Sequence, residues 1–514
     1  MTVYCAFIDL ESKKSEIFCE TGEIIEMDGF RICDHINMSA STVCFVPSVK
    51  IIKLMYPGGI EESDEYYRNS DTDILVYKYG KCEFRSFGAL IGMQNTKVLQ
   101  TMYKGMPISA AMYEYLCGIG DPKKIKYTLA YQAKKMFYGD IAEDLWQERK
   151  EKKKFYWDKE TYWDMMAGVK GGVLSDYRAK YIEDVLMYDL RSAYAAVLVS
   201  DDKFPIGRII KIDCNKPEYK ITKIKVLLKK GEWCKIVFDG KRKDFSRWYD
   251  TKGEKTAFEY YNLKTLERLN LLDKLFEYLR TVDFRVYYSK ETGYINKMVR
   301  DKIVNLYKEK ERLQKDTFER YLTKTQIEMI YGKGIQRYDF DDIVDIQDHY
   351  RGRGDNYLTP EMSNHCIAKV EHDMYKANIQ TDSEYYDTDG IKVWNNEKSI
   401  AYFKDENEAI MERNRKAGYD DLDIGTWKFE GKADRMLIFT PKFYIYECNG
   451  EIEFKAAGVT KEYREKILNG IKGDKIEFMR KHGFITCMRA YKYDAGEFIP
   501  YYTMGKVKGD LCDL

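Results

Sequence analysis

The chain has 514 residues, enough for roughly three domains of about 150 residues each. Lys plus Arg number 85 against 84 Asp plus Glu, a formal net charge of +1. This balance excludes a polybasic tail-type nucleic-acid binder and requires any basic groove to be offset by acidic surface elsewhere. Hydrophobic residues at 44% and charged residues at 33% exclude bulk disorder, and no apolar run approaches the roughly 18 residues of a membrane span.

The first segment, Met1 to Ser12, carries Asp9 and Glu11 where a secretory leader needs an uninterrupted apolar core, so none is expected. Residues 1 to about 145 mix short β-type runs with polar turns: Val3 to Leu10, Val43 to Val46, and a hairpin from Ile74 to Phe87 around Tyr79-Gly80-Lys81. Residues 128 to 155 read as one helix with a basic end (Arg149, Lys150, Lys152, Lys153, Lys154), which suits either a solvated face or a phosphate-tracking patch. Val185-Leu186-Met187-Tyr188 reads as a short buried strand, followed by Asp189 and a helical segment to about Val199. Residues 262 to 280 and 296 to 330 read as helices, the second long, amphipathic and basic, stopped at Tyr331-Gly332-Lys333-Gly334 by a left-handed glycine cap. A further helix covers 357 to 377, and Glu384 to Trp394 reads as two strands around an Asp-Gly turn. This order is α+β, an antiparallel sheet with helices on one face. The 12 cysteines are scattered without CxxC spacing and only five histidines occur, so no zinc cluster is expected and the thiols are read as reduced. The 44 tyrosines suit stacking on bases or sugars, and equally plain packing.

Asp189, and the pair Asp387 and Asp389, stand at strand ends. If those strands are neighbours, three carboxylates converge at one edge, repel one another, and call for a hard divalent cation with oxygen ligands. Taken alone, Asp387-Thr388-Asp389-Gly390 is also an ordinary hairpin turn. Arg312, Lys324 and Tyr331, read as one stripe of the long helix, suit a triphosphate with a nucleoside above it, and a solvated basic stripe as well.

Together these pieces resemble the family B DNA polymerases, and within them the protein-primed branch of small linear phages, adenoviruses and linear plasmids. Tyr188-Asp189-Leu190-Arg191-Ser192-Ala193-Tyr194 is similar to motif A. Lys324 followed by Glu328-Met329-Ile330-Tyr331-Gly332 is similar to motif B, and Tyr385-Tyr386-Asp387-Thr388-Asp389-Gly390 to motif C. Pro441-Lys442-Phe443-Tyr444 resembles the Lys-x-Tyr motif that holds the primer strand, Lys455 to Thr460 resembles the stretch after it, and Val169-Lys170-Gly171-Gly172 resembles the Tyr-x-Gly-Gly loop with Val in place of Tyr. Asp9-Leu10-Glu11 looks like the first proofreading motif, but its companions are not recognisable, so a reduced exonuclease remnant is expected there.

The resemblance implies an α+β right-hand polymerase with an antiparallel-sheet palm, helical fingers and a small thumb. A reduced RNase-H-like, exonuclease-type domain would cover 1–160, palm 165–260 and 333–450, insertion and fingers 261–332, and thumb 451–514. It implies template-directed transfer of dNTPs onto a primer 3′-hydroxyl, with two Mg²⁺ ions for which Mn²⁺ can substitute. Asp189 and Asp389 would hold the metals with the Leu190 carbonyl, and Asp387 would add a carboxylate. Ser192, Tyr194, Arg312, Lys324 and Tyr331 would bind the nucleotide. Gly171, Gly172, Lys369, Lys442 and Tyr444 would contact primer or DNA. The implied partners are DNA template-primer, dNTPs and a terminal (priming) protein docked on the insertion between Asp189 and Lys324. A monomer without membrane contact, in the host cytoplasm, is expected. Glu328 and Met329 depart from the usual Asn-Ser of motif B, and Gly390 from the Ser of motif C. A catalytically degenerate polymerase fold acting as a DNA- or protein-binding module is the alternative reading.

Overall fold

The computed structural model describes residues 1–9, 13–36, 40–62, 76–91, 99, 102–125, 129–151, 159–168, 179–249, 254–315, 317–335, 357–456, 459, 461–482, 485–494 and 497–506. The chain divides into two compact units: residues 1–148, 301–357 and 490–501, and residues 149–300, 358–489 and 502–514. No described helix is long and apolar enough to cross a membrane.

In the first unit, strands β1 (Thr2–Asp9), β2 (Lys14–Cys19), β3 (Ile24–Asp28), β4 (Thr42–Val46), β5 (Ile60–Glu62), β6 (Val76–Tyr79) and β7 (Cys82–Ser86) form one mixed sheet in the order β3-β2-β1-β4-β7-β6-β5. β1, β4 and β7 run parallel and the remaining pairs antiparallel. β4 is buried along its whole length, as expected of a central strand between parallel neighbours. The hairpin at Tyr79-Gly80-Lys81 is present, with Gly80 at φ 61°. Helix Ile108–Ile119 packs Tyr115 and Leu116 onto Val3, Val43 and Phe45. Gly118 on that helix admits the Phe318 ring, since a Cβ there would stand 2.5 Å from it.

Three expected helices are each interrupted, two of them as follows. The stretch 128 to 155 is two helices, Leu129–Tyr138 and Ala142–Glu151, parted at Gly139-Asp140; Lys152, Lys153 and Lys154 lie outside the described residues. The long helix of 296 to 330 is also two, Lys297–Arg312 and Phe318–Gly334. The break is sealed by side chains: the Arg320 guanidinium donates to the carbonyl of Leu313 at 3.0 Å and to that of Lys310, and the Arg320 N–H donates to Thr317 Oγ1. The second of these helices runs through Gly332 to Gly334, so Gly332 is no left-handed cap.

In the second unit the strands are β8 (Lys180–Leu190), β9 (Ile209–Lys211), β10 (Cys234–Asp239), β11 (Lys255–Glu259), β12 (Phe284–Ser289), β13 (Tyr385–Asp387), β14 (Gly390–Trp394), β15 (Trp427–Thr440), β16 (Phe443–Cys448) and β17 (Glu451–Ala456). Six of them make an antiparallel sheet in the order β13-β14-β8-β15-β16-β17, and four a second sheet in the order β11-β10-β12-β9. β18 (Ile485–Asp494) and β19 (Glu497–Lys506) pair separately. The four-stranded sheet is covered by helices Pro217–Lys230, Tyr260–Arg268 and Leu272–Leu279, burying Ile224, Phe238, Phe258, Leu263 and Phe276. The expected single helix 262 to 280 is thus split, at Asn270 with φ 59°. Glu259 starts its first half: its carboxylate accepts from Tyr261 N and Asn262 N, while Asn262 Oδ1 accepts from Glu259 N. Helix Pro360–Thr381 extends the one expected over 357 to 377. The cysteines among the described residues are free thiols.

Candidate active site

Strand register gathers the acids of motifs A and C. β14 pairs antiparallel with β8 so that Gly390 stands opposite Asp189, and β13 pairs with β14 so that Asp387 stands opposite Gly390. The loop between β13 and β14 is therefore Thr388-Asp389, with Gly390 inside the ladder, instead of a turn centred on Asp-Gly. It is tight: the Asp389 N–H donates to the Asp387 carbonyl at 2.8 Å across Thr388, whose φ is 61°. A non-glycine residue there is strained. The Leu190 N–H holds the turn by donating to the Asp389 carbonyl at 2.8 Å. Gly390 is suited to its place because a Cβ would meet Asp189 Oδ1 at 3.3 Å. On its other side, Asp189 stands opposite Lys428 of β15.

The electrostatics follow from this crowding. Burial, then the charge of Asp389, then that of Glu430 push the Asp189 carboxyl up to about 7, against smaller opposing pulls from Lys392 and Lys428. Asp387 is held differently. Its Oδ1 accepts from Thr388 Oγ1 at 2.9 Å and its Oδ2 from Tyr385 Oη at 3.1 Å, with Lys442 Nζ 3.7 Å from Oδ1. Lys442 N in turn donates to Tyr385 Oη at 2.9 Å, and the Tyr385 and Tyr444 rings lie 5.7 Å apart. Lys442 and Tyr444 are thereby brought to the hairpin of Asp387 and Asp389.

Motif A continues past Asp189 through Leu190 and Ser192, a left-handed residue at φ 48°, into helix Ala193–Val199. Tyr194 is half-buried near the start of that helix. Two of its three alanines, Ala193 and Ala196, border a cavity of about 250 Å³ together with Lys369, Asp373, Tyr402 and Trp427. Lys369 is turned into this interior, with Nζ 2.6 Å from both oxygens of Asp373.

Arg312, Lys324 and Tyr331 lie in the first unit. Because the long helix is broken, Arg312 ends one helix while Lys324 and Tyr331 ride on the next, so the three do not form one helical stripe. Glu328, the departure in motif B, sits one turn from Lys324, with the two charges 3.4 Å apart and both side chains 59% exposed. Asp9 ends β1 opposite Lys14; Glu11, Gly171 and Gly172 lie outside the described residues. Asp140 is paired with Lys302.

Two residues of the site escape sequence reading. Glu430 occupies a β-bulge: Phe429 pairs with Tyr188 and Gly431 with Met187, leaving Glu430 as the extra residue beside Asp189. Lys392 is buried on β14 among acids. Neither lies in a recognisable motif.

No family model matches the chain, and no curated protein matches it. Solved structures do. Phi29 DNA polymerase complexed with primer-template DNA aligns with a TM-score of 0.64 at 14% identity, over 99% of this chain and 100% of that one. Its complex with single-stranded DNA gives the same values, and its ternary complex with primer-template DNA and incoming nucleotide gives 0.62 at 13% identity over 99% of both chains. The chain has a Phi29 DNA polymerase-like fold. That fold is mixed α and β with antiparallel sheets, and the candidate site stands on the six-stranded one.

Proposed function

We propose that the chain is a template-directed DNA polymerase that transfers dNTPs onto a primer 3′-hydroxyl. The observation that carries the proposal is the strand register setting Asp189 beside the Asp387-Thr388-Asp389 turn, within a fold shared with Phi29 DNA polymerase. Among the described residues, no group of three or more His, Cys, Asp or Glu is placed to hold a metal ion by itself, so the three carboxylates expected to converge do not form a ligand set alone. Mg²⁺ is commonly bound through one or two carboxylates plus substrate phosphates. The oxygen-only donors Asp189 and Asp389, with the Leu190 carbonyl, fit such an ion, and a cation would offset the burial and, after it, the repulsion from Asp389 and Glu430 that lift Asp189. Such ions, held by Asp189 and Asp389, would supply activation of the attacking hydroxyl and charge compensation for the leaving pyrophosphate.

The chain's own residues supply the rest. Asp387 fixes Lys442 and Tyr385 at the edge where a primer terminus would lie, and Lys442 and Tyr444 steady it. Ser192 and Tyr194 would underlie the incoming sugar; Arg312, Lys324 and Tyr331 would take the triphosphate and base. The order β3-β2-β1-β4-β7, with β1, β4 and β7 parallel, supports an RNase-H-like reading of the N-terminal region. Palm, fingers and thumb over the boundaries given above, priming by a terminal protein, and monomeric action in a host cytoplasm complete the reading. Asp189→Ala and Asp389→Ala are expected to abolish primer extension with Mg²⁺ or Mn²⁺ while template-primer binding persists. Extension by either variant at the parent rate overturns the assignment. The Lys324–Glu328 pair favours a second reading, a polymerase fold kept as a binding module, and a parent protein that binds template-primer without extending it decides for that one.

A further inference from the structure

We propose that Lys392 is a resident counter-charge of the carboxylate edge, a positioning residue that keeps Asp189 and Asp387 assembled before any divalent cation arrives and sets how tightly that cation is held. The inference rests on the metal-dependent reading above. Lys392 pairs with Met187 of β8 and with Tyr385 of β13. Its side chain therefore rises from the same sheet face as that of Asp189, whose partner Gly390 comes two residues earlier on β14. On that face it stands between the acidic edge and an apolar cluster that includes Val185, Met187, Tyr385 and Ala433. Only 8% of the residue is exposed.

A lysine so placed lays its methylene stem on apolar neighbours and keeps its ammonium where opposite charge can compensate lost water. Burial pulls the ammonium below the usual lysine range, and Asp189, then Glu430, then Asp387 offset part of that pull, with Lys455 opposing them. The other cations nearby act more weakly. Lys428 is exposed and holds Glu430 at 2.8 Å, and the Lys442 side chain is 52% exposed. Solvent and salt screen those two, whereas the buried ammonium keeps most of its field. Lys392 thus steadies the acids electrostatically in the metal-free protein. The same fixed charge repels an incoming divalent ion, so it lowers the affinity of the edge for that ion.

The test titrates Mn²⁺ alone into the full chain, without DNA or nucleotide, and reads bound ion by electron paramagnetic resonance. Lys392→Met keeps the stem and removes the charge, and Lys392→Arg keeps the charge; Lys392→Gln runs in parallel so that the result does not depend on one variant folding. The neutral variants are expected to bind Mn²⁺ about tenfold more tightly than the parent, the scale of a unit-charge interaction at an intermediate dielectric. They should also show a larger Mn²⁺-induced rise in Tm, and the arginine variant should behave as the parent. Unchanged Mn²⁺ affinity in the neutral variants overturns the inference and leaves the polymerase reading standing. A parent protein that binds no Mn²⁺ in the absence of nucleotide also overturns the inference, while the polymerase reading stands or falls separately on primer extension.

Discussion

Burial and the charges of Asp389 and Glu430 raise the Asp189 carboxyl from an ordinary 3.8 to about 7, and the sign of that shift sets a pH dependence. A folded-state value above the unfolded one means that the folded chain holds this proton more tightly. The group's destabilising contribution is therefore absent below about pH 4, grows as pH rises through the interval, and is complete above about pH 7. Asp189→Asn is predicted to stabilise the protein in chelator by about 2 kcal/mol near pH 8, after discounting for partial exposure, and to change little near pH 4. Denaturant melts at the two pH values check this, and added Mg²⁺ should shrink the difference at the higher one. Glu328 gives a second residue-scale prediction. An exposed ion pair one turn apart is worth only about 0.3–0.5 kcal/mol, so Glu328→Gln should release Lys324 cheaply. If Lys324 meets the triphosphate, KM for dNTPs falls roughly two- to fivefold with kcat little changed; steady-state extension measures both. That Asp189 would neighbour the Asp387-Thr388-Asp389 turn was legible because each lies at the end of a short β-type run. Glu430 and Lys392 were not, because a bulge is a property of strand pairing and a buried lysine looks like any other in a list of residues.

At the scale of elements, short strands bounded by polar turns stand close to where their composition puts them, while helix interruptions do not. The break between Arg312 and Phe318 contains neither glycine nor proline; it is closed by Arg320, a residue of the following helix reaching back to the carbonyls of Lys310 and Leu313. Helical periodicity continues across such a joint, and the local mark is Thr317, whose Oγ1 caps the second helix. Helix Lys159–Met166 shows how an element is fastened by a residue no motif marks. Its Asp164 is fully buried and accepts from Lys255 Nζ at 2.7 Å, Arg285 Nη2 at 3.1 Å and Tyr287 Oη at 2.7 Å, all on the four-stranded sheet. Burial alone would raise its carboxyl, but these donors outweigh that and hold it below the usual range. Asp164→Ala removes the buried carboxylate from Lys255 and leaves Arg285 only its outer partners Asp239 and Glu160; it is predicted to cost about 3 kcal/mol, read as a fall in Tm, or in the denaturant midpoint at unchanged slope.

For the whole molecule, a net charge of +1 means that affinity for DNA must come from local asymmetry of charge. If about four phosphates are neutralised on binding, raising monovalent salt from about 50 to 200 mM weakens template-primer binding roughly a hundredfold. Fluorescence anisotropy across that range measures the slope, and a flat response removes the phosphate-tracking interpretation. The division into two units had no counterpart in the sequence reading, because the first unit takes residues from three separate stretches and contiguity is what composition can follow. The position of β13 has a consequence of another kind. This strand forms the rim of the six-stranded sheet and is three residues long. A long bare rim offers unpaired amide and carbonyl groups on which a second chain can stack and seed fibrils. So brief a rim, ending on a carboxylate, gives a stray strand almost nothing to grip, and the hairpin that bears the acids also shields the protein from aggregation along that side.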